Sequence, residues 1–209
     1  MKLIDISMEI SGEMPVYKGR AVKRPILTVD SDFSAGGVYE SRLQMNLHTG
    51  THLDAPLHMI PGGNFTEPFA LERVVCGCRV LDLSQVEEKI TQDDLEGKGI
   101  QPGDFVLLKT RNSLVDILEG DFIYLDKTGA DYLRERGIKG VGIDSLGIER
   151  AQPGHETHKT LLQAGILILE GLRLKAVEEG GYFLIAAPIR IAGVEAAPVR
   201  AFLMLESIL

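Results

Sequence analysis

The sequence predicts an α/β domain, and three observations carry that expectation. Short strand-like runs alternate along the chain with a few short helical ones, residues 38–47 alternate apolar and polar side chains, and Ile166-Leu167-Ile168-Leu169 is an unbroken apolar run. A period of two marks a strand with one face on a core, and a continuous apolar run marks a strand covered on both faces. Pattern alone leaves α/β and α+β layering both open.

In chain order, residues 2–6 form the first expected strand. Within 38–47, Leu43, Met45 and Leu47 share one face and Arg42, Gln44 and Asn46 the other. His48 continues the polar side, where the strand gives way to a loop, a usual place for chemistry. Further strands are expected at 79–83, 105–109, 140–143, 166–169, 181–186 and 199–205. Thr91 caps a short helix with Asp94 three residues on, and Gly97, Gly99 and Gln101-Pro102-Gly103-Asp104 turn the chain back into a strand. Residues 131–136 read as a helix stopped by Gly137, and 156–164 as a helix stopped by Gly165.

The chain is long enough, at 209 residues, to bury a real core, and 44% hydrophobic with 25% charged residues suits a globular domain. A net charge of -8 argues against nucleic acid as a partner, because a phosphate backbone selects a basic surface. No apolar stretch approaches the ~18 residues that span a bilayer, and Asp5 interrupts the apolar N-terminus, so no membrane partner and a cytoplasmic location are expected. Cys76 and Cys78 are spaced C-x-C, not the redox C-x-x-C, and read as two reduced thiols near a strand. Gly-x-Ser-x-Gly, P-loop and dinucleotide patterns are absent, and Gly36-Gly37 and Gly62-Gly63 read as turns, the latter at a pocket rim.

Five histidines are present, and three of them (His48, His52 and His58) fall with Asp54 inside eleven residues. Neutral imidazole and carboxylate suit Zn²⁺ or Mn²⁺, and no structural rule asks for four such side chains together. Gly50 and Pro56 point to a loop folded around an ion, not a helix. Glu170 ends the apolar run 166–169, where a carboxylate is costly unless it is paired or bound to a cation. His158 shares a helical face with Leu161, Leu162 and Gly165, and His155 lies nearly one turn earlier; either could serve as a ligand.

His48-Thr49-Gly50-Thr51-His52-Leu53-Asp54-Ala55-Pro56-Leu57-His58 resembles the H-x-G-T-H-x-D-x-P-x-H signature of the cyclase-like metal hydrolases, which include bacterial kynurenine formamidases and isatin hydrolases. Gly154 to Leu162, Ile168-Leu169-Glu170-Gly171-Leu172 and the tail from Tyr182 to Ala201 resemble it too, so the likeness covers nearly the whole chain. The resemblance implies a single swivelling β/β/α domain over residues 1–209, as a homodimer or homotetramer. It implies that His48, His52 and Asp54 bind one metal and that Asp54 and Glu170 bridge to a second, held also by His158. His158 is preferred to His155 because its spacing to Glu170 matches the family. The resemblance gives His58 the acid/base role, with one or two zinc ions, or manganese, as cofactor. Two departures stand out. No Trp is present where formamidases use one against an aromatic substrate, which leaves Tyr17 there, and Ile143-Asp144 is followed by Ser145-Leu146 in place of Thr-Pro. Asp144 reads either as a partner to a ligand histidine or as a strand-end cap.

The chemistry implied is hydrolysis of an amide-type C–N bond in a small, aromatic molecule. A bound divalent ion lowers the pKa of its water from about 15.7 to about 7. An imidazole near its ordinary ~6.5 would then relay a proton to the leaving nitrogen. The same residues would equally serve a lactone or cyclic-imide hydrolase or a dehydrating cyclase. A non-catalytic metal protein is the third reading, and the extra His58 argues against it.

Overall fold

A nine-stranded sheet organises the molecule, and its curl decides which side chains meet. The computed structural model describes residues 2–34, 36–66 and 70–205. In chain order the elements are β1 (Leu3–Asp5), β2 (Ile26–Ser31), β3 (Glu40–Gln44), β4 (His52–Asp54), β5 (Val75–Asp82), β6 (Lys89–Ile90), α1 (Gln92–Leu95), β7 (Phe105–Lys109) and β8 (Tyr124–Leu125). Then follow α2 (Lys127–Glu135), β9 (Gly140–Ile143), α3 (Glu156–Gln163), β10 (Leu167–Glu170), β11 (Gly180–Ile185), β12 (Ala196–Pro198) and β13 (Phe202–Met204). The large sheet runs β1-β13-β11-β5-β7-β9-β10-β4-β12. Its centre, β5-β7-β9-β10, is parallel, and both flanks are antiparallel. The fold is mixed α/β, as the sequence predicts.

Alternation along the central strands divides the interior in two. Val106 and Leu108 of β7 and Val141 and Ile143 of β9 face the helices, against Ala130 and Leu133 of α2 and Leu161 and Leu162 of α3. Phe105 and Leu107 face the other way, into a second core with Leu53, Leu169, Leu184 and Leu203. On that side β9 presents only glycine, and a Cβ at Gly140 would lie 2.3 Å from the Phe105 ring. The large side chains of β7 therefore fill the space that β9 leaves.

The elements expected at 105–109, 140–143 and 166–169 lie close to where they were read, because short apolar runs that follow glycine-containing turns leave little choice. Thr91 N–H donates to Asp94 Oδ2 at 2.8 Å, the capping box read from the sequence. α2 begins earlier than 131, because Asp126 accepts from Thr128 N–H at 2.8 Å and Gly129 N–H at 3.1 Å and so caps a start at Lys127. The expectation for 38–47 needs correcting. The strand spans only Glu40–Gln44, pairs with β2 in a separate ribbon, and leaves Leu43 48% exposed. Its alternation is real but faces no core of this chain. The loop expected at the histidines is corrected too, since His52–Asp54 forms β4 between β10 and β12. Three residues are too few to show a period of two.

Candidate metal centre and active site

The site lies where β4 and β10 run side by side and the turns at their ends cross. The antiparallel register sets Glu170 opposite His52 and Ile168 opposite Asp54, which brings the three polar side chains together. The crossing turns are close: a Cβ on Gly171, whose φ is +72°, would lie 2.3 Å from Gly50 O. Only glycine tolerates both that conformation and that approach. Thr51 Oγ1 donates to Gly171 O at 2.7 Å and accepts from Met8 N–H at 2.7 Å, fixing the crossing from a third segment.

Asp54 is fully buried at the centre. Its Oδ1 lies 3.0 Å from His48 Nδ1 and 3.5 Å from His52 Nε2, and its Oδ2 lies 3.5 Å from His158 Nε2. Glu170 offers Oε2 to His52 Nε2 at 3.3 Å and Oε1 to His158 Nε2 at 3.4 Å. Each carboxylate thus turns one oxygen to the β4 side and the other to α3. His52 Nδ1 faces Gly50 O at 2.9 Å, a geometry in which Nδ1–H donates and Nε2 points inward as an acceptor. His48 closes the group from the turn after β3, with Nε2 3.4 Å from Glu195 Oε1.

Burial pushes Glu170 up and Asp54 adds to that push, yet His158 and His52 outweigh both and hold its carboxyl at about 2. Asp54 also ends well below the usual range, because His158 and His48 overcome its burial. The reverse pull raises His52 and lifts His158 well above ordinary histidine, against desolvation in both. His58 lies between His48 and His158, with ring centroids 4.0 and 5.4 Å away. It has no comparable partner, so burial holds it down at about 4, not near the ordinary value expected from the sequence. Burial thus favours the neutral form of the His58 imidazole.

Each predicted residue has a place here. His48, His52, Asp54, His158 and Glu170 converge, His58 flanks them, and Tyr17 lines the adjoining cleft. The cleft occupies about 510 Å³ including its open mouth, and Lys23, Met59, Leu146 and Gly147 complete its walls. Leu146, at the departure from the family pattern, is one of the side chains on the cleft wall. Gly62-Gly63 is not among the cleft's lining residues; Leu57 N–H donates to Asn64 O at 3.0 Å, folding the segment back on the turn at Pro56–His58. Asp144 touches no histidine. It accepts from Thr110 Oγ1 at 2.7 Å and Ser113 Oγ at 2.7 Å and braces the loop after β7, while burial raises its pKa. Ser145 Oγ is tied to Gly147 O at 2.7 Å, and Cys76 and Cys78 are free, with the Cys78 thiol pushed by burial to about 12.

Glu149 is a residue that sequence reasoning missed, as is Glu195 beside His48. Glu149 is buried and lies 2.8 Å from Nδ1 of both His158 and His155, and it accepts from Thr157 N–H at 3.0 Å. These contacts turn His158 Nε2 toward Asp54 and Glu170. His155 is half exposed and stands on the far side of Glu149. A single acid in a polar turn carries no pattern, so nothing in the sequence marked it.

The separations say where an ion fits. Ligand bonds of about 2.0–2.1 Å in a tetrahedron set donor atoms about 3.3–3.4 Å apart. The 3.0–3.5 Å gaps around Asp54 and Glu170 match that spacing, whereas the 2.8 Å contacts of Glu149 are direct hydrogen bonds. Both Asp54 oxygens and His158 Nε2 are buried without a hydrogen-bond partner among the described residues. Such atoms are costly unless a cation satisfies them. The residues present therefore fit a divalent ion.

Residues 4–150 match the Cyclase family model. The chain belongs to the cyclase family. The kynurenine formamidase of Salinibacter ruber is 32% identical over 206 residues, with 97% of each chain covered. Among solved cyclase-like structures, the predicted metal-dependent hydrolase from Bacillus stearothermophilus is 50% identical, with 97% of each chain covered and a TM-score of 0.88. Isatin hydrolase A from Labrenzia aggregata superposes with a TM-score of 0.85 at 24% identity, covering 98% of this chain and 93% of its own, a likeness of fold alone.

Proposed function

We propose that the chain is a metal-dependent hydrolase of an amide-type C–N bond in a small aromatic molecule, similar in activity to a kynurenine formamidase (arylformamidase). The observation that carries the reading is the set of buried, partnerless acceptor atoms on Asp54 and His158 beside an open cleft. His48, His52, Asp54, His158 and Glu170 would hold one or two ions of zinc or manganese. When bound, the ion supplies an activated water and polarises the substrate carbonyl.

The side chains supply the rest. Tyr17 offers an aromatic face on the cleft wall, where the ring of a planar substrate would stack. His58 accepts the proton of the attacking water and passes it to the leaving nitrogen. As a neutral imidazole it is ready for the first half of that task. Glu149 and Gly50 O fix the ring orientation and tautomer of His158 and His52 through Nδ1.

We further propose that residues 1–209 act as one domain, because β1 pairs with β13 and joins the two ends of the chain in one sheet. A homodimer or homotetramer is supported by the β2-β3 ribbon, which leaves Ile26, Leu27, Val29 and Leu43 about half exposed. An isolated two-stranded ribbon is marginal in water and gains from a second copy. The free thiols of Cys76 and Cys78 support a reducing, cytoplasmic setting. Among the described residues no helix is long and apolar enough to cross a membrane.

The test is hydrolysis of N-formylkynurenine and isatin by purified protein, before and after chelation. Turnover of either substrate that vanishes with chelator and returns with added zinc or manganese is the expected result. Turnover indifferent to chelator would overturn the reading.

A further inference from the structure

We propose that Lys23 forms an anion subsite in the cleft wall, so that the substrate carries a carboxylate besides its scissile C–N bond. The proposal rests on the hydrolase reading above and narrows its substrate class.

The chain as a whole is acidic, at -8, yet residues 17–24 read Tyr-Lys-Gly-Arg-Ala-Val-Lys-Arg, with four cations and no acid. Of these, Arg24 is neutralised at 3.3 Å by Glu119. Lys23 is half-buried, lines the cleft beside His48, His58 and Glu170, and has no carboxylate within 4.0 Å of Nζ among the described residues. Its ammonium lies 5.5 Å from the centre of the Tyr17 ring, and Lys18 lies 5.2 Å from the same ring. The aromatic wall is therefore flanked by positive charge.

The backbone holds Lys23 in place. Thr49 Oγ1 donates to Lys23 O at 2.9 Å, which ties the lysine to the turn between His48 and His52. Desolvation and Arg20 pull Lys23 below the ordinary lysine range, and Glu170 and Asp54 offset part of that pull. Those two carboxylates are the ones committed to the ion. With their charge taken up by an ion, Lys23 would be left lining a cleft where, among the described residues, no carboxylate lies within 4.0 Å of its ammonium. An ammonium is a compact point charge, suited to a single carboxylate.

Two formamides with the same scissile bond test this: 2-formamidobenzoate, which carries a carboxylate, and formanilide, which does not. With the zinc-loaded protein, the ratio of their kcat/KM values is expected to favour the carboxylate by about tenfold or more, through KM, as a charged hydrogen bond allows. Lys23→Met should collapse the ratio toward unity, and Lys23→Arg should keep most of it, with metal content and Tm showing that both variants are folded and loaded. An unchanged ratio in Lys23→Met would overturn the proposal. So would formate inhibition that alone depends on Lys23, since that would mark a site for the acyl product. If neither formamide turns over, the formamidase reading fails separately and binding decides. A roughly tenfold weaker Kd for 2-aminobenzoate in Lys23→Met then supports the subsite, and an unchanged Kd refutes it.

Discussion

His58 and Glu149 have opposite relations to the ion, and their variants should separate accordingly. Among the described residues His58 lies beside the carboxylate cluster without a hydrogen-bonded acid of its own, as the proposed proton carrier requires. His58→Ala should lower turnover by about 10²–10⁴-fold while bound metal, measured by elemental analysis, stays constant. His58 also stands close enough to His48 and Asp54 to share an ion with them, so loss of metal in the variant would make it a ligand instead. Glu149 acts through His158 Nδ1 at 2.8 Å. Glu149→Gln should weaken metal affinity by about 10–100-fold, read by competition with a coloured chelator, and Glu149→Asp should recover part of it. Equal metal affinity in all three proteins would reduce Glu149 to a brace for the turn before α3. The clustering of His48, His52, Asp54 and His58 within eleven residues made that half of the site legible without a structure. Glu149 and Glu195 were not legible, because a lone acid in a polar turn differs from a solvated one only by what folds over it.

At the scale of elements, the site depends on β4 and β10 lying in register and on their turns crossing at Gly50 and Gly171. Gly171→Ala combines a left-handed φ with a backbone clash. It should cost about 2 kcal/mol or more in urea unfolding, and metal content should fall with it. A stable Gly171→Ala protein with full metal content would show that the crossing is looser than described. The strands that place Glu170 were readable, since β7, β9 and β10 are built on short apolar runs set off by glycine-containing turns. β4 was not, because its three residues owe their strand pairing to β10 and β12 and not to any pattern of their own. The β2-β3 ribbon misled for a related reason: its alternation is genuine, but its apolar side chains stay about half exposed. Light scattering should accordingly give a dimer or tetramer, and Val29→Lys on the ribbon should shift it toward monomer. A monomeric wild type would leave the ribbon's exposed apolar face without an occupant.

For the whole molecule, the site links metal, protons and stability. In the metal-free protein His158 and His52 have raised pKa values, so the stability they contribute is complete below the unfolded value of about 6.5 and is lost as pH rises through their folded values. Asp54 and Glu170, with lowered values, contribute above the unfolded carboxylate range and lose that contribution only in strong acid. His58, held at about 4, is neutral in both states above pH ~6.5 and adds no slope there. The Tm of metal-free protein should therefore fall as pH rises from about 6.5 into the mildly alkaline range. Metal-loaded protein should hold its Tm over the same range, because the ion replaces the protons and binds more tightly as they leave. The central claim is that Asp54, which faces the histidines of both halves, organises a catalytic ion. Titrating zinc or manganese into metal-free wild type and Asp54→Asn, while following bound metal and formamide hydrolysis together, tests it most directly. Activity that rises in step with bound metal in the wild type, with both lost in a folded Asp54→Asn, is the predicted result; hydrolysis that persists in Asp54→Asn or in metal-free protein would contradict it.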